Sequence, residues 1–141
     1  MQPSIRHLDW DRRLRLAIED SRQRTFRWGC HDCCLFAADL VEAMTGWDPA
    51  TGLRGTYCSE LEAARLIQAR GGIRSLVSEM LGSNPFNPPA NRGDVVLMQP
   101  LMPGHLEQLG VCVGDSAVVA AETGLLHRPM HLAILAWSLD G

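Results

Sequence analysis

Between Ser83 and Gly93 the chain reads SNPFNPPANRG, and three prolines in that stretch exclude both a helix and an interior strand. What makes the segment decisive is that the hydrophobic period changes across it. Before it, apolar residues return at helical spacing. After it come short runs rich in β-branched residues, separated by turn residues. Helices followed by a run of strands is the α+β pattern, a helical half packed on an antiparallel sheet. The expected organisation is a single module over 1–141, helical over about 1–83 and stranded over about 93–138.

In the helical half, Trp10, Leu14, Ala17 and Ile18 predict an amphipathic helix over roughly 7–23 with an arginine-rich outer face. A loop, TFRWGCH, precedes a second helix starting near Cys33 with Asp32 as N-cap. Phe36, Ala37, Leu40, Val41 and Met44 share one stripe of it with Cys33, and Gly46 ends it. Ser59 and Glu62 have capping-box spacing for a third helix that stops at Gly71-Gly72. Ile73, Leu76, Val77, Met80 and Leu81 mark a fourth, closed by Gly82. The runs DVVLM, LGVCVG, SAVVAA and HLAILAW are the expected strands, with turns at Gly114-Asp115 and Thr123-Gly124.

Composition removes several classes of function. A net charge of −3 with no block of basic residues gives no footprint for nucleic acid. The charged opening, MQPSIRHLDWDRRLRLAIED, reads as neither a signal peptide nor a membrane span. Synthesis in a reducing cytosol is therefore expected, and with an odd number of cysteines, five, free thiols follow rather than a disulfide framework.

Chemistry concentrates in RWGCHDCC, where Cys30, His31, Asp32, Cys33 and Cys34 crowd the mouth of the second helix. At the first helical position, unpaired backbone N–H groups and the helix dipole would face the Cys33 sulfur and favour thiolate, the requirement for a nucleophile. Cys34 points about 100° away round the helix and is expected buried or lateral. Cys30 is expected as a packing residue. The Cys30-x-x-Cys33 spacing, with His31 and Cys58, alternatively offers ligands for zinc or an iron–sulfur cluster, although no second such pair exists. Asp32 reads as a helix cap. Trp28, Trp47 and Trp137 read as core or interface anchors, and the proline-rich loop near Phe86 as a place for subunit contact. The Arg92-Gly93-Asp94 tripeptide introduces a strand and needs no adhesive role.

Three motifs carry a family resemblance. DCCLF at Asp32–Phe36 resembles the Asp-Cys-Ser-Gly-Phe nucleophile motif of the NlpC/P60 cell-wall peptidases, which have a papain-like fold. RGDVVLM at Arg92–Met98 resembles that family's Gly-Asp-Leu-Val-Phe strand. QLGVCVGD at Gln108–Asp115 resembles its His-Val-Gly-Ile-Tyr-Val-Gly strand and turn. The order agrees, and the likeness covers most of residues 25–120. Closer still are the small NlpC/P60-like proteins of phage and gene-transfer-agent tail tips. The resemblance implies a virion component made in the bacterial cytoplasm and assembled into the tail beside other tail-tip or hub proteins. It also implies a part in opening peptidoglycan, with no cofactor and no membrane insertion.

Carried over by position, Cys33 matches the nucleophile, Gln108 falls where the family has its histidine, and Ala120 and Ala121 lie where its third polar residue would be. Glutamine cannot shuttle a proton at neutral pH. His105, on the QPLMPGH turn, is the substitute base to examine first, followed by His31, His127 and His131. The expectation is a degenerate site kept for assembly. The alternatives are an active cysteine endopeptidase and a metal-stabilised binding module.

Overall fold

A computed structural model describes residues 6–139. Four helices, α1 (Trp10–Ser21), α2 (Cys33–Thr45), α3 (Glu60–Ala69) and α4 (Ile73–Leu81), precede five strands, β1 (Val95–Met98), β2 (Gln108–Cys112), β3 (Ser116–Ala121), β4 (Gly124–Pro129) and β5 (Ala133–Trp137). The strands form one antiparallel sheet in the order β4-β3-β2-β1-β5. The α+β organisation expected from the change of period is present.

Helix boundaries follow local chemistry. The Asp32 side chain accepts from Leu35 N–H at the start of α2, and Gly46 ends it in the left-handed region. Ser59 Oγ accepts from Glu62 N–H at the start of α3. The return contact differs from a standard capping box, because Glu62 takes the Cys58 backbone N–H, one residue before the cap. α1 is shorter than the expected 7–23.

α2 is the central element. Phe36, Ala37, Leu40, Val41 and Met44 pack with α1, α4 and the sheet, as the stripe predicts. Leu35 and Ala38, on another face, close a second cluster with Ala50, Leu53, Tyr57, Ala63 and Leu76. A lone thirteen-residue helix would be marginal in water, so burial on both sides holds it. Each of Leu35, Phe36, Leu40 and Met44 is fully buried, contributing roughly 1.5–3 kcal/mol.

Alternation along the strands gives the sheet two covered faces. Val95, Leu97, Leu109, Val111, Val118, Ala120 and Trp137 join the helices. Val96, Met98, Cys112, Ala117, Val119 and Ala136 build a third cluster on the opposite face, roofed by Leu126, Met130, Leu132 and Ala133. Trp137 Nε1 donates to Ser78 Oγ at 3.0 Å, tying β5 to α4.

β4 is a strand the sequence reading omits. His127, Arg128 and Pro129 interrupt its apolar pattern, yet it pairs with β3 from Ser116↔Pro129 to Ala121↔Gly124. Proline is tolerated because β4 is an edge strand. At the other edge, Phe86 of the proline-rich segment exchanges both backbone hydrogen bonds with Ala136, at 2.8 and 2.9 Å. The segment therefore caps an edge that would otherwise offer itself to another chain.

The Arg92-Gly93-Asp94 tripeptide fastens α1 to the sheet. Arg92 donates to Asp11 Oδ1 at 2.6 Å and to the Val113 carbonyl at 2.7 Å. Asp94 is buried with Arg6 Nη2 3.7 Å from its carboxylate, and the Arg6 guanidinium lies over the Trp10 ring.

In the middle of β2, a Cβ on Gly110 would lie 2.5 Å from the Val118 carbonyl oxygen and 2.6 Å from Val119 Cγ1. Gly110→Ala should therefore cost about 1–3 kcal/mol by overpacking. Gly52→Ala, where nothing lies within 4 Å, should stay within about 0.5 kcal/mol. Urea denaturation midpoints check the pair, and equal effects would contradict this packing of β2 on β3.

Candidate functional site

The mouth of α2 is organised by one buried carboxylate. Asp32 accepts from Leu35 N–H at 2.9 Å, from Gly29 N–H at 3.0 Å and from Tyr57 Oη–H at 2.6 Å. It caps α2, closes the preceding turn and holds the 50s loop at once. Gly29 sits at φ +81°, where a Cβ would meet the Tyr57 carbonyl oxygen at 1.9 Å, so only glycine fits. Desolvation first, then the Asp32 charge, push the Tyr57 hydroxyl well above its ordinary range, so it stays a donor.

Cys33 is partly exposed and stands where two cavities meet. One is a narrow apolar cavity of about 30 Å³ running back beneath Tyr57, Ile67 and Leu76. The other is an open cleft of about 300 Å³. Trp28, Cys33, Leu106 and Glu107 border both.

Burial opposes the expected activation of this thiol. Burial pushes the Cys33 thiol up to about 11. The Leu109 N–H and those of Cys33 and Cys34 act in the opposite direction, and the Asp32 charge adds to the rise. Desolvation outweighs the helix mouth. At pH 7 the neutral thiol is therefore favoured. Cys34 lines the narrow cavity and is likewise pushed up by burial.

No histidine on the sheet answers Cys33. Gln108 borders the cleft, but β2 alternates so that Leu109 and Val111 face α2 while Cys112 faces the opposite cluster. Gln108 lies on the Cys112 side, where its Oε1 accepts from Arg128 Nη1 at 2.9 Å. The same Nη1 donates to the Gln99 carbonyl. Arg128 is 8% exposed and in register with Ala117, whose small side chain leaves space over the sheet. Gln108, which the motif resemblance aligns with a peptidase histidine, is thus engaged in a structural hydrogen bond on the far face of the sheet. Of its two neighbours at the third position, Ala120 packs on the helix side and both Ala120 and Ala121 line the cleft.

The other histidines separate clearly. His105 is in the cleft lining with Cys33, and its Nδ1 lies 3.4 Å from Glu60 Oε2 at the start of α3. His31 is buried against the Phe36 ring, its Nδ1 has no partner, and burial lowers its pKa. His127 is exposed beside Ser116 Oγ, and His131 is exposed in the short connection between β4 and β5.

The proposed metal ligands do not converge. Among the described residues no three His, Cys, Asp or Glu side chains form a group that could hold a metal. Cys30 and Cys58 are exposed, which corrects the packing role expected for Cys30, and Cys58 Sγ instead donates to Glu62 Oε1 at 3.2 Å. Trp137 is a core anchor, Trp47 packs at the core's margin and Trp28 is cleft wall.

Four residues that matter here escape sequence reasoning: Tyr57, Glu60, Glu107 and Arg128. Only Arg128, a charge beside a proline between apolar runs, carries a local cue. Tyr57 and Glu107 reach the site from loops, and Glu60 from the start of α3.

A family described as "Domain of unknown function (DUF6950)" matches residues 5–139. The chain belongs to that family. No curated protein matches it. The family description assigns no activity.

A histidine placed at position 108 tests the facing of β2. Gln108→His should lower stability by about 1 kcal/mol, because Arg128 loses a neutral acceptor. The new imidazole should titrate identically, by NMR, with and without Cys33→Ser. A shift of its pKa on removing the thiol would mean that position 108 does face Cys33.

Proposed function

We propose that this chain is a phage tail-tip component of NlpC/P60 cell-wall-peptidase ancestry, whose papain-like active site has become a binding cleft. Its role is structural, in assembly with neighbouring tail-hub subunits. The three motifs and their order support the ancestry, as does a cysteine that opens a helix packed on β2 and β3. One observation carries the loss of catalysis: the sheet positions on the helix side, Leu109 and Ala120, have no proton to exchange. A neutral thiol without a base does not attack an amide carbonyl. Leu101 and Met102, exposed beside the cleft, suit contact with a neighbour.

A second reading rests on His105. It shares the cleft with Cys33 and lies near a carboxylate, the base-and-orienter arrangement of a cysteine peptidase. In that reading His105 takes the Cys33 thiol proton as the sulfur attacks a peptidoglycan amide, and backbone N–H groups at the start of α2 hold the oxyanion. His105 passes the proton to the leaving amine as the C–N bond breaks, and water hydrolyses the thioester.

Purified protein on isolated sacculi separates the two. The structural reading expects no more soluble muropeptide from wild type than from Cys33→Ala, together with gold-labelled antibody to this chain at the tail tip of virions. Digestion that is lost in Cys33→Ala and in His105→Ala would establish the peptidase. Virions that carry no label would remove the tail assignment.

A further inference from the structure

The cleft beside Cys33 combines apolar walls with one sign of charge. Phe26, Trp28, Leu101, Met102 and Leu106 line it, with Phe26 and Trp28 edge-to-face at 5.0 Å. Glu60, Glu107 and Glu122 line it too, and among the described residues no arginine does. His105 is the one lining group able to carry positive charge, and it lies against Glu60. Arg128 comes near through Gln108, but its Nη1 is held by Gln108 Oε1 and the Gln99 carbonyl. Arg27, between the two aromatic residues in sequence, is exposed and its charge acts on Cys58. The chain has no lysine, all thirteen Lys/Arg positions being arginine, so no internal ammonium group can fill the cleft from a side chain.

An occupant must therefore bring apolar surface and positive charge together. Anionic ligands would meet three carboxylates. A purely apolar one would gain nothing from the acidic part of the lining. An ammonium group gains from the carboxylates and from the aromatic faces. At about 300 Å³ the cleft is at the small end of ligand sites, enough for roughly two residues of extended peptide.

We propose that this cleft binds a peptide segment presenting a primary ammonium group next to an apolar side chain. The inference rests on reading the cleft as a binding site, and deepens that reading by naming the chemistry of its occupant. The ammonium group pairs with a glutamate of the cleft lining, and the apolar side chain packs against Trp28 and Leu106.

The test uses the full chain and three probes: Nα-acetyl-leucyl-lysine amide, the same peptide acetylated on its lysine, and Nα-acetyl-leucyl-glutamate amide. The lysine probe should give saturable NMR shifts with millimolar affinity. Acetylation should weaken it at least about five-fold, the glutamate probe should bind weaker still, and raising salt should narrow the difference. A folded Glu60→Gln, Glu122→Gln double variant should lose about ten-fold for the lysine probe and little for the acetylated one. Carbodiimide should trap the lysine probe as an amide on Glu60, Glu107 or Glu122, with no lysine of the chain to compete. Three probes binding within about two-fold of one another, or no saturation by the lysine probe at about 10 mM, overturns the proposal. Either result with sacculi still undigested removes only this occupant, whereas thiol-dependent digestion removes the binding-cleft reading beneath it.

Discussion

The three hydrogen bonds received by Asp32 are the constraint on which the mouth of α2 depends. One carboxylate caps the helix, fixes the turn at Gly29 and holds Tyr57, so three segments distant in sequence meet at one atom group. A buried carboxylate left short of donors is costly, and three donors, one of them a hydroxyl at 2.6 Å, offset that cost. The arrangement has a chemical consequence. The charge that anchors the helix stands next to Cys33 and opposes thiolate formation, in the same direction as burial. Anchoring the helix mouth and activating its thiol are in conflict here, and anchoring wins.

A similar trade is visible across the sheet. Arg128 brings a guanidinium over the far face, and no carboxylate of β2 or β1 is in place to meet it. Gln108 and the Gln99 carbonyl supply neutral acceptors instead. A histidine at position 108 would offer at most one acceptor nitrogen, and a protonated one would repel the arginine. Glutamine there is explained by what it touches. Through Gln108, β2 helps hold the far side of the sheet.

Much of this fold is legible in the sequence, for identifiable reasons. Asp32, Gly46, Ser59 and Gly82 mark helix ends through local hydrogen bonding and backbone conformation, which depend on near neighbours alone. The change of period at the proline-rich segment reports the change from helix to strand. β4 is hidden because its edge position tolerates Pro129 and its inward residue is an arginine. The site is less legible than the fold. Motif similarity places Gln108 on β2 but is blind to facing, and a single step along a strand exchanges the two faces. The thiol's environment is equally hidden, because its burial comes from the 50s loop, α3 and Leu106, all remote from the cysteine motif.

The central claim is that the helix-mouth thiol is held neutral. It is tested most directly by the pH dependence of alkylation at each cysteine of the native protein, resolved by mass spectrometry. The account predicts an apparent pKa for Cys33 near 11, well above that of a free thiol. Fast alkylation of Cys33 with an apparent pKa well below the free value of about 8.5 would contradict it and return the cleft to the peptidases.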